Sequence, residues 1–152
     1  MISKELLKAE SKKHGVELDE TALDRFDKYA ELLVYWNERI NLTAITDPEE
    51  IVYKHFVDSL ILLKYVDIPK GAKLIDVGTG AGFPGLALLI ARPDLNITLM
   101  DSTKKKLGVI EDILNNIGLV ANVVHSRAEE AGKAADFREK YDFATARAVT
   151  NL

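Results

Sequence analysis

Residues 73 to 85 read Lys-Leu-Ile-Asp-Val-Gly-Thr-Gly-Ala-Gly-Phe-Pro-Gly, and their types and spacing could do chemistry. Leu74, Ile75 and Val77 make a short apolar strand that runs straight into a loop with glycine at 78, 80 and 82. An apolar helix over 84–91 follows, with Pro84 expected at its first position, where a missing N–H costs nothing. The proline also biases Phe83 towards an extended backbone. Glycines without a Cβ permit positive φ and close approach of a ligand to the main chain. The N–H groups at the helix start, with the positive end of the dipole, predict an anion site. Strand, glycines and helix in this order describe a nucleotide-type cofactor loop; the alternative is a glycine-rich turn without a ligand.

What the loop lacks narrows the cofactor. A phosphate-cradling loop carries Lys-Ser/Thr after its last glycine, and Leu86-Ala87 stand there instead. The dinucleotide fingerprint asks for Gly or Ala three residues after its second glycine, and Phe83 occupies that place. The remaining pattern, Asp76-x-Gly78-x-Gly80-x-Gly82, resembles the first motif of S-adenosylmethionine (SAM) methyltransferases. A SAM carboxylate at the helix start and a sulfonium near Asp76 would suit this loop electrostatically.

Further candidates lie at strand ends. Asp101 closes a second strand, 23 residues after Gly78, where an acidic residue takes ribose hydroxyls. Asp101 could equally cap the helix beginning near Thr103, and a carboxylate can do both. Ser102 and Thr103 would line the same edge. Beyond a third strand, the main chain at Ala128 and the side chain of Glu129 could read an adenine amino group. Glu129 is alternatively a first-turn acid favoured by the helix dipole. Arg147, just past a fourth strand, falls where cofactor and acceptor should meet and could hold a phosphate or stack on a base; an ordinary surface arginine is the other reading. Lys104-Lys105-Lys106 read as a solvated face. His55 and Asp58 read as structural helix residues. No catalytic base is assigned. Histidines 14, 55 and 125 lack metal-ligand spacing, so no metal is expected.

The elements that must position these residues fall into two regions. Residues 3–14 predict a first helix stopped by Gly15. Asp19 caps a second, with Leu23, Phe26, Ala30, Leu33 and Ile40 at helical spacing. Asp47-Pro48-Glu49-Glu50 starts a third with a capping-box pattern, running to about Tyr65 with Ile51, Phe56, Leu60 and Leu63 inward. From Lys73, strands at 73–77, 96–101, 120–124 and 141–145 alternate with helices at 84–91, 103–117 and about 127–139. Such alternation implies a parallel sheet with right-handed crossovers. The expected architecture is therefore α/β: a helical cap over 1–66 packed on a Rossmann-like domain over 67–152. Four strands are just over half of a seven-stranded methyltransferase sheet, so the chain is expected to be cut short after the fourth.

Composition fits this reading. At 152 residues, 47% apolar and 29% charged, the chain has the balance of a soluble globular domain. It has no apolar run long enough to cross a membrane and its start is not a signal peptide. Absence of cysteine excludes disulfides and thiolate metal sites and is compatible with the cytoplasm. A net charge of -4 gives no global attraction to nucleic acid, so RNA contact would need a local basic patch.

The laid-out residues resemble one family closely, the bacterial 16S ribosomal RNA guanine-N7 methyltransferases, also known as glucose-inhibited division protein B. The resemblance rests on Trp36-Asn37, Asn41-Leu42-Thr43-Ala44-Ile45, His55-x-x-Asp58-Ser59-Leu60 and the run from Asp76 to Gly85. It continues through Asp101-Ser102, Lys104-Lys105, Arg127-Ala128-Glu129 and Arg147-Ala148-Val149. It implies SAM as cofactor, with contacts from Gly78, Phe83, Asp101, Ser102, Thr103, Ala128, Glu129 and Arg147. It also implies a guanine of 16S rRNA, in the small ribosomal subunit, as substrate, and the full-length protein is expected to be a monomer. Two rival readings are a non-catalytic SAM- or RNA-binding module and an NAD-dependent oxidoreductase; Phe83 argues against the second.

Overall fold

The computed structural model describes residues 1–127 and 140–146. Helix α1 (Lys4–Lys13) starts where the Ser3 hydroxyl accepts from the Leu6 N–H, and His14 caps its end. Asp19 caps α2 (Glu20–Asn37) by accepting from the Ala22 N–H at 2.8 Å. Phe26, Tyr29, Ala30 and Leu33 form its buried stripe, at the three- and four-residue spacing that makes one face of a helix. Ile40, expected on the same helix, lies beyond its end.

The third helical run differs from a simple α-helix. Asp47 caps its start, accepting from the Glu50 N–H at 3.1 Å with Pro48 in the first turn. The Glu50 carboxylate bonds Lys54, at 3.4 Å. The run is then α3 (Pro48–Glu50), a π segment (Ile51–Val57), α4 (Asp58–Leu60) and α5 (Leu62–Tyr65). A π turn brings residues five apart into line. Ile51 with Phe56, and Val52 with Val57, are two such pairs, and all four are buried. The widened turn thus puts more apolar side chains into the core than a single α stripe would.

Four parallel strands form one sheet in the order β3-β2-β1-β4: β1 (Lys73–Val77), β2 (Asn96–Asp101), β3 (Asn122–His125) and β4 (Phe143–Ala146). Helices α6 (Gly85–Ala91) and α7 (Lys104–Ile117) connect β1 to β2 and β2 to β3. The last two strands begin two residues later than expected, because their ladders open at Asn122 opposite Thr98 and at Phe143 opposite Leu74. The expected helix over about 127–139 lies outside the described residues apart from its first position. One apolar cluster joins Leu7, Phe26 and Phe56 of the helical region to Leu74, Leu86, Leu99 and Ile110. Ile75, Val77 and Met100 form a smaller cluster with Tyr141.

A polar clamp closes the edge of the sheet where the strands begin. Arg92, just past α6, gives Asp94 two hydrogen bonds of 2.8 Å and donates to the Ile68 carbonyl at 3.1 Å. Asp94 also accepts from the Gly71 N–H at 3.1 Å. The Arg92 hydrogen bonds hold the Asp94 carboxyl down to about 2.

Candidate cofactor site and the adjoining cleft

The sequence turns from strand to helix over the loop at the carboxyl end of β1. Gly80 has φ +55° and a Cβ added there would meet open space. Gly82 has φ +103°, and a Cβ there would collide with the Tyr29 hydroxyl. One glycine therefore borders open space, and the other serves packing from within. The Tyr29 hydroxyl reaches the loop from α2 and donates to the Ala81 carbonyl at 2.6 Å.

Asp76 lies beneath this loop and is wholly buried. Its Oδ2 accepts from the Thr79 hydroxyl at 2.6 Å and the Gly85 N–H at 2.9 Å. Its Oδ1 accepts from the Thr145 hydroxyl of β4 at 3.0 Å. This corrects the expected free anion site at the helix start. The Gly85 N–H is taken by Asp76, and the Leu86 N–H donates to the Gly82 carbonyl at 2.7 Å. The anion favoured by the dipole is the protein's own carboxylate. Pro84 is likewise one place earlier than expected, at the N-cap, with its carbonyl accepting from Leu88.

Asp101 ends β2 with 8% exposure. One carboxylate oxygen accepts from the Gly80 N–H at 2.8 Å and the other from the Thr103 N–H at 2.9 Å. It therefore orders both the loop and the start of α7, whose N-cap is Thr103. Ser102 and Thr103 are exposed beside it. An ionised carboxylate retains further acceptor capacity after two such bonds. Gly78 is half-buried on the same turn. The Phe83 ring, expected among the cofactor contacts, is buried in the core, stacked on His55 (centroids 4.2 Å apart) and on Tyr29 (5.2 Å). Its apolar ring gains more from that burial than from the open edge. Ala128, Glu129 and Arg147 lie outside the described residues.

The polar residues of the capping region hold this arrangement from behind. His55 shares a 2.8 Å hydrogen bond with the Thr43 hydroxyl while its ring faces Phe83. Asn37 Oδ1 accepts from the N–H groups of Leu42 and Thr43, fixing the turn that presents Thr43. Asp58, read from the sequence as a structural helix residue, opens α4 and is exposed. It lines a cleft of about 460 Å³ between the capping run and β4, together with Tyr65, Pro84, Ala144, Thr145 and Ala146. Sequence reasoning missed this cleft, since its walls come from segments some eighty residues apart whose meeting only the β1–β4 pairing shows. Lys104 and Lys105 are exposed at the start of α7. Among the described residues no group of acidic or histidine side chains is placed to hold a metal, and no helix is long and apolar enough to cross a membrane.

A central β1 flanked by β2 and β4, a glycine loop at its carboxyl end and an acidic residue closing β2 define a Rossmann-like fold of the SAM-methyltransferase type. Solved structures share it. A putative protein-L-isoaspartate O-methyltransferase from Plasmodium falciparum, in complex with S-adenosyl-L-homocysteine, aligns with a TM-score of 0.60 at 14% identity, over 100% of this chain and 76% of that one. A second protein-L-isoaspartate O-methyltransferase aligns with a TM-score of 0.59 at 15% identity, over 95% of this chain and 47% of that one.

Sequence similarity is more specific than fold. The family model for GidB, rRNA small subunit methyltransferase G, matches residues 22–152, and the chain belongs to that family. Ribosomal RNA small subunit methyltransferase G of Desulforamulus reducens is 46% identical over 96% of this chain and 61% of that protein. The protein of the same name from Lachnoclostridium phytofermentans is 48% identical over 89% of this chain and 56% of that protein. The chain thus spans about three fifths of the length of these relatives.

Proposed function

We propose that the chain forms the SAM-binding part of a cytoplasmic enzyme that methylates N7 of a guanine in 16S ribosomal RNA of the small subunit. The observation that carries this reading is Gly80: its missing side chain faces open space at the carboxyl end of β1, and its N–H is held by Asp101. The residues present fit SAM. A pyrophosphate would need the amides at the helix start, which Asp76 and the Gly82 carbonyl already occupy, whereas SAM has no phosphate. Family membership supports the same cofactor.

In this reading Gly78 and Gly80 let the main chain lie against the cofactor, Gly82 lets the loop pack on Tyr29, and Asp101, with Ser102 and Thr103, takes the ribose hydroxyls. By resemblance to the family's motifs, Ala128 and Glu129 are assigned to the adenine and Arg147 to cofactor or RNA. SAM, when bound, would supply an electrophilic methyl to the in-plane lone pair of N7, with its sulfur keeping the electron pair of the former S–C bond. N7 carries no proton, so the protein needs no general base, and its contribution is alignment of the reactants. His55, stacked and hydrogen-bonded in the core, supports the loop and takes no proton.

The test uses the full-length protein and small ribosomal subunits from cells lacking this methylation. Tritiated methyl transfer from SAM to guanine N7 is expected, with a single-turnover rate flat between about pH 6.5 and 8.5. A rate rising through a histidine-like pKa would contradict direct attack, and calorimetric binding of NAD in place of SAM would overturn the cofactor.

A further inference from the structure

Resting on the reading of Asp101 as the ribose acid, we propose that His125 is a positioning residue for the cofactor and acts on Asp101 through one peptide unit. His125 closes β3 opposite Asp101, so the ladder sends both side chains out on the same face of the sheet. Ser126 carries the ladder one step further, its N–H donating to the Asp101 carbonyl at 3.0 Å. The place of the imidazole is thus set by strand pairing.

Its Nε2 lies 2.9 Å from the Ser102 carbonyl oxygen. A carbonyl only accepts, so Nε2 carries the proton, and in the neutral ring Nδ1 is left as an acceptor. The peptide unit that begins with this carbonyl ends in the Thr103 N–H, which donates to Asp101 Oδ1 at 2.9 Å. In a trans peptide the C=O and the N–H point in opposite directions. His125 therefore holds the plane from one side and Asp101 holds it from the other.

What the plane controls is the carboxylate. Ser102 and Thr103 are exposed, so hydrogen bonds rather than packing keep the peptide between them from rotating. Rotation would carry the Thr103 N–H away from Oδ1 and let the carboxylate turn. A donor on the carbonyl also polarises the peptide and strengthens the bond made by the N–H at its far end. With the Gly80 N–H on Oδ2 at 2.8 Å, both oxygens are then oriented before a ligand arrives. Such preorganisation adds affinity for the groups that the carboxylate meets, which are the two ribose hydroxyls. The role needs no contact between His125 and the ligand.

The experiment measures binding to the full-length protein by calorimetry, with S-adenosylhomocysteine and with its 2′,3′-dideoxy analogue. The wild type is expected to prefer the first by about tenfold or more, as hydrogen bonds to a carboxylate allow. His125→Ala should weaken S-adenosylhomocysteine binding about threefold to tenfold, the size of one neutral hydrogen bond, and leave the analogue within about twofold of wild type. His125→Gln, whose side-chain amide can donate in place of Nε2–H, should restore the affinity to within about twofold. In the unliganded wild type, nitrogen-15 spectra should show the His125 proton on Nε2. Equal weakening for both ligands, unchanged affinity in His125→Ala, or His125→Gln no better than His125→Ala would overturn the assignment, as would a proton on Nδ1 alone. A wild type that binds both ligands equally overturns the ribose reading of Asp101, and the role of His125 with it.

Discussion

Asp76 and Asp101 look alike in the sequence, each an acidic residue near a strand end, yet the fold gives them different work. Asp76 is wholly buried and accepts from Thr79, Gly85 and Thr145, so it shapes the loop from below. Asp101 retains some exposure and fastens Gly80 from the end of β2. The spacing of the glycines was legible because only glycine suits such turns. The direction of each carboxylate was not, since it depends on loop closure and on a hydroxyl from β4. Gly80→Val should separate site from scaffold. Its Cβ meets no protein atom, but φ of +55° costs a branched residue about 1–2 kcal/mol. A folded protein with SAM binding lost by calorimetry is the expected outcome, and unchanged affinity would remove the loop from the site.

At the scale of elements, the capping helices and the loop are one assembly. Tyr29 of α2 donates to Ala81, and Phe83 lies against both Tyr29 and His55. Tyr29→Phe keeps the ring and removes the bond to a buried carbonyl. It should cost about 1–2 kcal/mol in urea unfolding and weaken SAM binding several-fold by loosening the loop. A stability loss without any change in affinity would mean that the loop holds its shape without α2. Helical periodicity located α1 and α2 within about a residue at their starts, and the strands β1 and β2 in full. The π segment was invisible, because the Ile51–Val57 stretch satisfies an α pattern well enough and only the core decides for the wider turn. Late starts of β3 and β4 reflect pairing partners, which local patterning does not record.

For the whole molecule, a single apolar cluster spans the helical region and the sheet. The Arg92–Asp94 clamp, at the edge away from the site, governs stability without touching the chemistry. Asp94 titrates at about 2 in the folded chain against 3.8 unperturbed. The stabilisation is therefore present above about pH 4 and is lost as pH falls through about 2. Asp94→Asn should lower unfolding free energy at pH 7 by about 1–2 kcal/mol, allowing for partial solvent screening. Urea midpoints measured from pH 7 downwards should converge between about pH 4 and pH 2, with SAM affinity at pH 7 unaltered. A gap that stays constant through that range would show that the carboxylate charge contributes nothing.

Four amides of the glycine loop already have acceptors: Gly80 at Asp101, Gly82 and Phe83 at the Thr79 carbonyl, and Gly85 at Asp76. A segment rich in glycine would ordinarily lose much freedom when a ligand orders it. Here that entropy is spent during folding, so the ligand meets a finished mould. Deuterium uptake at these amides should be slow in the unliganded protein, and saturating SAM should slow it less than about tenfold, with protection set by opening of the surrounding fold. Rapid uptake that stops only on addition of SAM would mean the loop is made by its ligand.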